Sequence, residues 1–143
     1  MITALDHLVL TVTSIDETCA FYRRVLGLHE VHYGRGRRGL ALGMQRINLH
    51  QAGHELAPGA LAPTPGSADL CVISAIDLAG VARHLAAEQV PIVHGPVERT
   101  GAAGTMHSLY IRDPDGNLIE IAQYPVRATG EDDSRETGPD HAP

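Results

Sequence analysis

The apolar positions of this chain alternate between strand-like and helix-like spacing, and they do so twice in the same order. Ile2 to Thr13 mixes β-branched residues with leucine, as a strand covered on both faces does. Ser14 then opens a capping box with Glu17, and Ile15, Cys19, Tyr22 and Leu26 recur at helical spacing until Gly27, which predicts a helix of about three turns. His29 to Tyr33, Gly39 to Met44 and Arg46 to Ala52 follow as short strands separated by tight turns. Gly53 to Gly66, GHELAPGALAPTPG, carries prolines and glycines that disfavour a continued ladder. Beyond it, Ala68 to Ala75 reads as a strand, Asp77 to Glu88 as a helix through Leu78, Val81 and Leu85, and Pro91 to Thr100 and Met106 to Arg112 as strands. Asp113-Pro114-Asp115-Gly116 has turn chemistry throughout and delivers the last strand, Asn117 to Tyr124.

The order β, α, β, β, β therefore appears twice, with a period of about 60 residues, the signature of a duplicated unit. The expected fold class is α+β: tandem βαβββ modules at 1–53 and 66–126, joined by a loop at 54–65, forming a curved eight-stranded mixed sheet around a metal-binding cavity. The stretch 127–143 is polar, acidic and aperiodic, and reads as a disordered tail.

Two polar residues stand out against this pattern. His7, in LDHLVLTV, and Glu120, in NLIEIAQY, both sit among apolar residues on predicted strands, where an imidazole or a carboxylate is costly without partners. One lies in the first strand and one in the last, so a shared metal ion is the expected partner. Asp69 holds in the second module the place of His7 in the first. Asn48 and His50 share one face of the strand equivalent to that bearing Glu120. Alignment of INL with IEI matches Asn48 to Glu120, whereas His50 is the better ligand by chemistry. The predicted metal set is thus His7, His50, Asp69 and Glu120, with Asn48 the alternative to His50. Mixed nitrogen and oxygen donors suit Zn²⁺, Ni²⁺, Co²⁺, Fe²⁺ or Mn²⁺.

The remaining candidates carry plainer readings. His29, His32 and His84 are expected at the surface, and strand parity lets only one of His107 and Tyr110 face a cavity. Arg35, Arg37 and Arg38, in GRGRRG, form either a solvated turn or a clamp for an anionic substrate. Cys19 and Cys71 read as buried reduced thiols.

Composition narrows the partners. The 143 residues are 43% hydrophobic and 20% charged, ordinary for a globular protein, and the formal net charge of −6 with no tryptophan argues against nucleic acid. No apolar stretch reaches the roughly 20 residues of a membrane span, and the opening MITALDHLVLTV has no basic leader, so a cytoplasmic setting without a membrane partner is expected.

DHLVLTV, FYRRVLGL and the closing RDPDGNLIEIAQY together resemble the vicinal oxygen chelate superfamily of glyoxalases, fosfomycin- and bleomycin-resistance proteins and extradiol dioxygenases. INLHQAGHE with TPGSADLC is similar to a glyoxalase-domain-containing subgroup. The resemblance covers about residues 2–125. It implies a homodimer, a small-molecule substrate and one divalent metal ion held through His7 and Glu120; the second-module position falls on Asp69 and the first-module one near Asn48, both departures from the catalytic members. The function it implies is that of a metal-dependent glyoxalase-like lyase, isomerase or oxygenase acting on a small chelating oxygenated substrate, with Glu120 as the catalytic proton carrier. The alternative is a protein of the bleomycin-resistance type that sequesters an antibiotic or metabolite.

Overall fold

The structure, a computed structural model, describes residues 1–126; the acidic tail expected at 127–143 lies outside the described residues. The first module runs β1 (His7–Val12), α1 (Ile15–Leu26), β2 (His29–Tyr33), β3 (Arg37–Leu42) and β4 (Gln45–Gln51). The second repeats it as β5 (Asp69–Ile73), α2 (Leu78–Ala87), β6 (His94–Gly101), β7 (Gly104–Arg112) and β8 (Leu118–Gln123). The helix boundaries follow local chemistry. Ser14 Oγ accepts a hydrogen bond from the Glu17 amide, and Gly27, at φ 68°, turns the chain out of α1 in the left-handed conformation that glycine adopts without strain. Asp77 caps α2 by accepting from the Gly80 amide at 2.6 Å.

The eight strands fall into two four-stranded sheets, ordered β1-β4-β3-β2 and β5-β8-β7-β6. In each, the first and last strands of the module pair in parallel and the other pairs are antiparallel, so both sheets are mixed and the α+β class with tandem βαβββ modules holds. β1 begins later than the apolar pattern implies. Its register starts with His7 opposite Arg46, close to the start of β4, which leaves Ile2 with no ladder partner and 87% exposed.

Alternation gives each sheet a helix-bearing face and an open face. Leu10, Val12, Leu40, Ile47 and Leu49 pack with Cys19, Tyr22 and Val25 of α1, and Leu109, Ile111, Ile119 and Ile121 pack with Val81 and Leu85 of α2. These residues form one contiguous core, so the two modules share their apolar sides. The helices also touch directly: the Arg24 guanidinium donates to a Glu88 carboxylate oxygen at 2.7 Å, and His84 Nε2 lies 3.1 Å from the Arg24 and Val25 carbonyls at the end of α1. His84 is exposed, as expected, yet it closes a helix end.

The Asp113-Pro114-Asp115-Gly116-Asn117 segment is the main polar fastening between the modules. Asp113 Oδ1 accepts from the Asp115 and Asn117 amides, both at 2.9 Å, and Oδ2 accepts from Asn117 Nδ2 and the Tyr22 hydroxyl. Asn117 Oδ1 in turn accepts from the Ala68 amide, and the Asp115 carboxylate from the Thr13 amide just beyond β1. Asp113 and Asn117 are buried, and these contacts satisfy polar groups that would otherwise be costly there.

Candidate functional site

The registers arrange the open face of the first sheet in three rows. Thr11, His50, Arg37 and Tyr33 make one; Val9, Asn48, Gly39 and Val31 the next; His7, Arg46, Ala41 and His29 the third. His7 stands on the edge strand. Its Nδ1 is 2.6 Å from Asp6 Oδ1, where the ring N–H donates to the carboxylate, and in that neutral tautomer the lone pair lies on Nε2. That hydrogen bond holds the Asp6 carboxyl below its ordinary range.

Arg46 crosses this face. Its Nε donates to Asn48 Oδ1 at 2.6 Å and its guanidinium carbon sits 3.7 Å from the Tyr33 ring centroid, with that of Arg37 5.2 Å from the same ring. Gly39 lies between them, and a Cβ there would come within 3.3 Å of the Arg46 side chain. Asn48 is buried, so its amide serves to orient the arginine. His50, 8% exposed, has no partner for Nε2 among the described residues and lines two cavities of about 180 Å³ each. One lies under the linker and includes Thr11, Glu55, Thr64 and Ser67; the other is bounded by Arg35, Arg37, Gln51 and His54.

The open face of the second sheet carries Asp69, Cys71 and Ile73 on β5, and Leu118, Glu120 and Ala122 beside them on β8. Tyr110 of β7 stands opposite Glu120 and shares its face, with its hydroxyl accepting from Arg99 Nε at 2.9 Å and its ring 5.7 Å from that of His94. His107 occupies the opposite parity, which answers the question left by sequence. Glu120 Oε1 is buried with no hydrogen-bond partner among the described residues. Cys71 pairs with Glu120 across the ladder and is exposed, not buried as expected, because period-two alternation puts it on the open face. Partial burial first, and the neighbouring Glu120 carboxylate second, push its thiol up to about 11, so it is protonated at neutral pH. Cys19 is buried, as expected.

The four residues expected to share an ion are divided. Asp69 and Glu120 lie on one face of the second sheet, one row apart on neighbouring strands. His7 and His50 share the open face of the first sheet but stand two rows apart, with Asn48 and Val9 between. Among the described residues of one chain, no three His, Cys, Asp or Glu side chains are placed to hold a metal ion. The reason is topological: the modules share their helix-bearing faces, while Val9 and Ile73 on the edge strands are 44% and 58% exposed. Arg37, Arg46 and Tyr33 were not predicted as a group. Parity with Asn48 on the RINLH strand already placed Arg46 on that face, but only the strand order brings Tyr33 beneath it.

A duplicated βαβββ fold with one ligand-type residue near each end defines a glyoxalase-type module pair. The sequence model of the Glyoxalase/Bleomycin resistance protein/Dioxygenase superfamily matches residues 4–121, and the chain belongs to that superfamily. It is 52% identical over 124 residues to virulence protein STM3117 of Salmonella typhimurium, covering 87% of this chain and 86% of the relative. The crystal structure of that relative superposes with a TM-score of 0.85, over 87% of this chain and 99% of the other. The glyoxalase domain-containing protein RDO1 of Mycosarcoma maydis is 50% identical over 121 residues, covering 85% of this chain and 68% of the relative. A lactoylglutathione lyase from Agrobacterium tumefaciens has the same fold, with a TM-score of 0.65 at 23% identity over 86% of this chain and 95% of the other.

Proposed function

We propose that the protein is a divalent-metal-dependent enzyme that acts on a small oxygenated substrate at a site assembled between two copies of the chain. The observation that carries this reading is Glu120 Oε1, a buried carboxylate oxygen with no partner among the described residues, on a face that also presents Asp69. Glu120 as a whole is half-buried, but a carboxylate oxygen held from water without a partner is costly. His7 complements it: Asp6 fixes its tautomer as an outer carboxylate does for a metal-bound histidine, with Nε2 left to donate.

Within one chain the donors do not fit an ion, since they belong to separate sheets. A homodimer that sets the first sheet of one copy against the second sheet of its partner brings His7 to Asp69 and Glu120, and covers Val9 and Ile73. Such a nitrogen and oxygen donor set suits Zn²⁺, Ni²⁺, Co²⁺, Fe²⁺ or Mn²⁺, which polarise substrate oxygens when bound. His50 is left out of this set because it stands two rows from His7. The Glu120 carboxylate, through the oxygen not engaged by the ion, would also take up and return the substrate proton, with Tyr110 on the same face to hydrogen-bond substrate oxygens. The alternative of a sequestering protein has no comparable use for a carboxylate with one oxygen buried and unpartnered.

Metal analysis of the purified protein is the test. About one divalent ion per chain, lost in His7→Ala and in Glu120→Gln while the fold is retained, is the expected result. A wild-type protein that takes up no divalent ion, or variants that keep it, would overturn the reading.

A further inference from the structure

The strand positions on the open face of the first sheet carry Arg37, Arg46, His7, His29 and His50 and no acidic residue. Asp6 and Glu55 reach its margins from outside the strands, Asp6 in one cavity with Arg46 and Tyr33, and each is engaged by a closer partner than the arginines. Asp6 is spent on His7, while Glu30 and Asp16 both pair with Arg38, whose parity puts it on the other face. Glu55 borders the cavity under the linker and accepts from the Gly53 amide. Arg37 and Arg46 have no ion-pair partner among the described residues, although both are drawn to the Tyr33 ring.

Two guanidiniums gathered at one ring repel each other unless an anion joins them. The Arg46 fork is pre-set by Asn48, since only Nε is engaged and the two terminal nitrogens remain to donate. In register, Arg37 continues β3 to the level of His50, which is more than nine-tenths buried with Nε2 unpartnered and borders the cavity that Arg37 also lines. These are independent signs of a ligand with acceptor oxygens.

We propose that Arg37 and Arg46, levelled on Tyr33 and supported by Asn48 and His50, bind a carboxylate of the substrate. This rests on the proposed reading of the site as an enzyme centre and deepens it: the substrate is a small organic acid whose carboxylate is held by the first module while its proton-bearing reacting end is presented to Glu120. The planar fork favours the two coplanar oxygens of a carboxylate, and phosphate is the other anion of similar chemistry.

Calorimetric titration of the full-length protein with succinate, succinamide and inorganic phosphate tests this. Succinate is chosen because its carboxylates are too far apart to chelate an ion tightly. Saturable succinate binding that exceeds both other probes, weakens about tenfold or more in Arg46→Gln and in Arg37→Gln, and is unchanged in Arg23→Gln, at an exposed position of α1, is the expected result. Equal binding of succinamide, tighter binding of phosphate, or indifference to both substitutions would overturn the proposal. His7→Ala separates the two readings. It is expected to lose metal yet keep the arginine-dependent succinate signal; retained metal there counts against the metal site alone, and succinate binding blind to the arginines counts against the clamp alone.

Discussion

The Tyr22 hydroxyl donates to Asp113 Oδ2 at 2.9 Å inside the core, joining α1 of the first module to the turn that launches β8 in the second. Burial and the Asp113 carboxylate drive the Tyr22 pKa upward, so the phenol stays protonated and remains a donor throughout the working pH range. Tyr22→Phe keeps the ring but removes the donor, leaving a buried carboxylate oxygen with Asn117 as its remaining partner. The expected cost is about 1–3 kcal/mol in chemical denaturation. An unchanged midpoint would show that the contact does not fasten the modules.

Gly66 lies where the linker meets the same turn. Its φ is +79°, and an added Cβ would meet the Asp115 carbonyl oxygen. Gly66→Ala combines a left-handed backbone with a clash against main chain, so a loss of about 1–3 kcal/mol is expected by the same assay. A neutral effect would mean that the linker relaxes without disturbing Asp115.

Glu30 accepts from Arg38 Nε at 2.6 Å, and that hydrogen bond, opposed by some desolvation, holds its carboxyl below the usual 4.5. Because the folded pKa lies below the unfolded one, the pair contributes stability above pH 4.5 and loses it as pH falls through the depressed folded value. Arg38→Gln is therefore expected to destabilise the protein at neutral pH, and the gap from wild type should close as the solution is acidified into that range. Denaturation midpoints of both proteins at stepped pH measure it; a pH-independent gap would assign the effect to packing instead.

The exposed Val9 and Ile73 lie on the open faces of the two edge strands, where the proposed partner copy covers them. Val9→Glu and Ile73→Glu place a charge in that contact, which is costly to bury without a counter-charge. Light scattering is expected to report a dimer for the wild type and a shift to monomer for each variant. Wild-type protein that is monomeric, or variants that stay dimeric, would count against the assembly.

Much of the fold was legible in the chain. The Ser14 cap, the Gly27 stop and the repeated βαβββ order are local features, and local features survive into the structure because each is satisfied within a few residues. The face shared by Asn48 and His50, and the opposite faces of Tyr110 and His107, follow from alternation alone, whereas the pairing of Tyr110 with Glu120 decides which of the two shares its face. What periodicity could not supply is the relation between the sheets. Asp113-Pro114-Asp115-Gly116 read as a turn, while its hydrogen bonds to Tyr22 and Thr13 span about ninety to a hundred positions of chain. Likewise, the separation of His7 from His50 depends on which residue of β4 faces which residue of β1, and the row of Val9 and Asn48 between them appears only in the register.

Mixing two variants reveals whether His7 of one copy meets Glu120 of another. His7→Ala and Glu120→Gln chains, each devoid of bound metal alone, are unfolded together, refolded and analysed for divalent metal against the separately refolded variants. In a mixed dimer one site carries both substitutions and the other neither, so metal uptake is predicted to return on mixing. If each site were built within a single chain, every site would keep its defect; a mixture as metal-free as its components would show that His7 and Glu120 do not meet across a dimer.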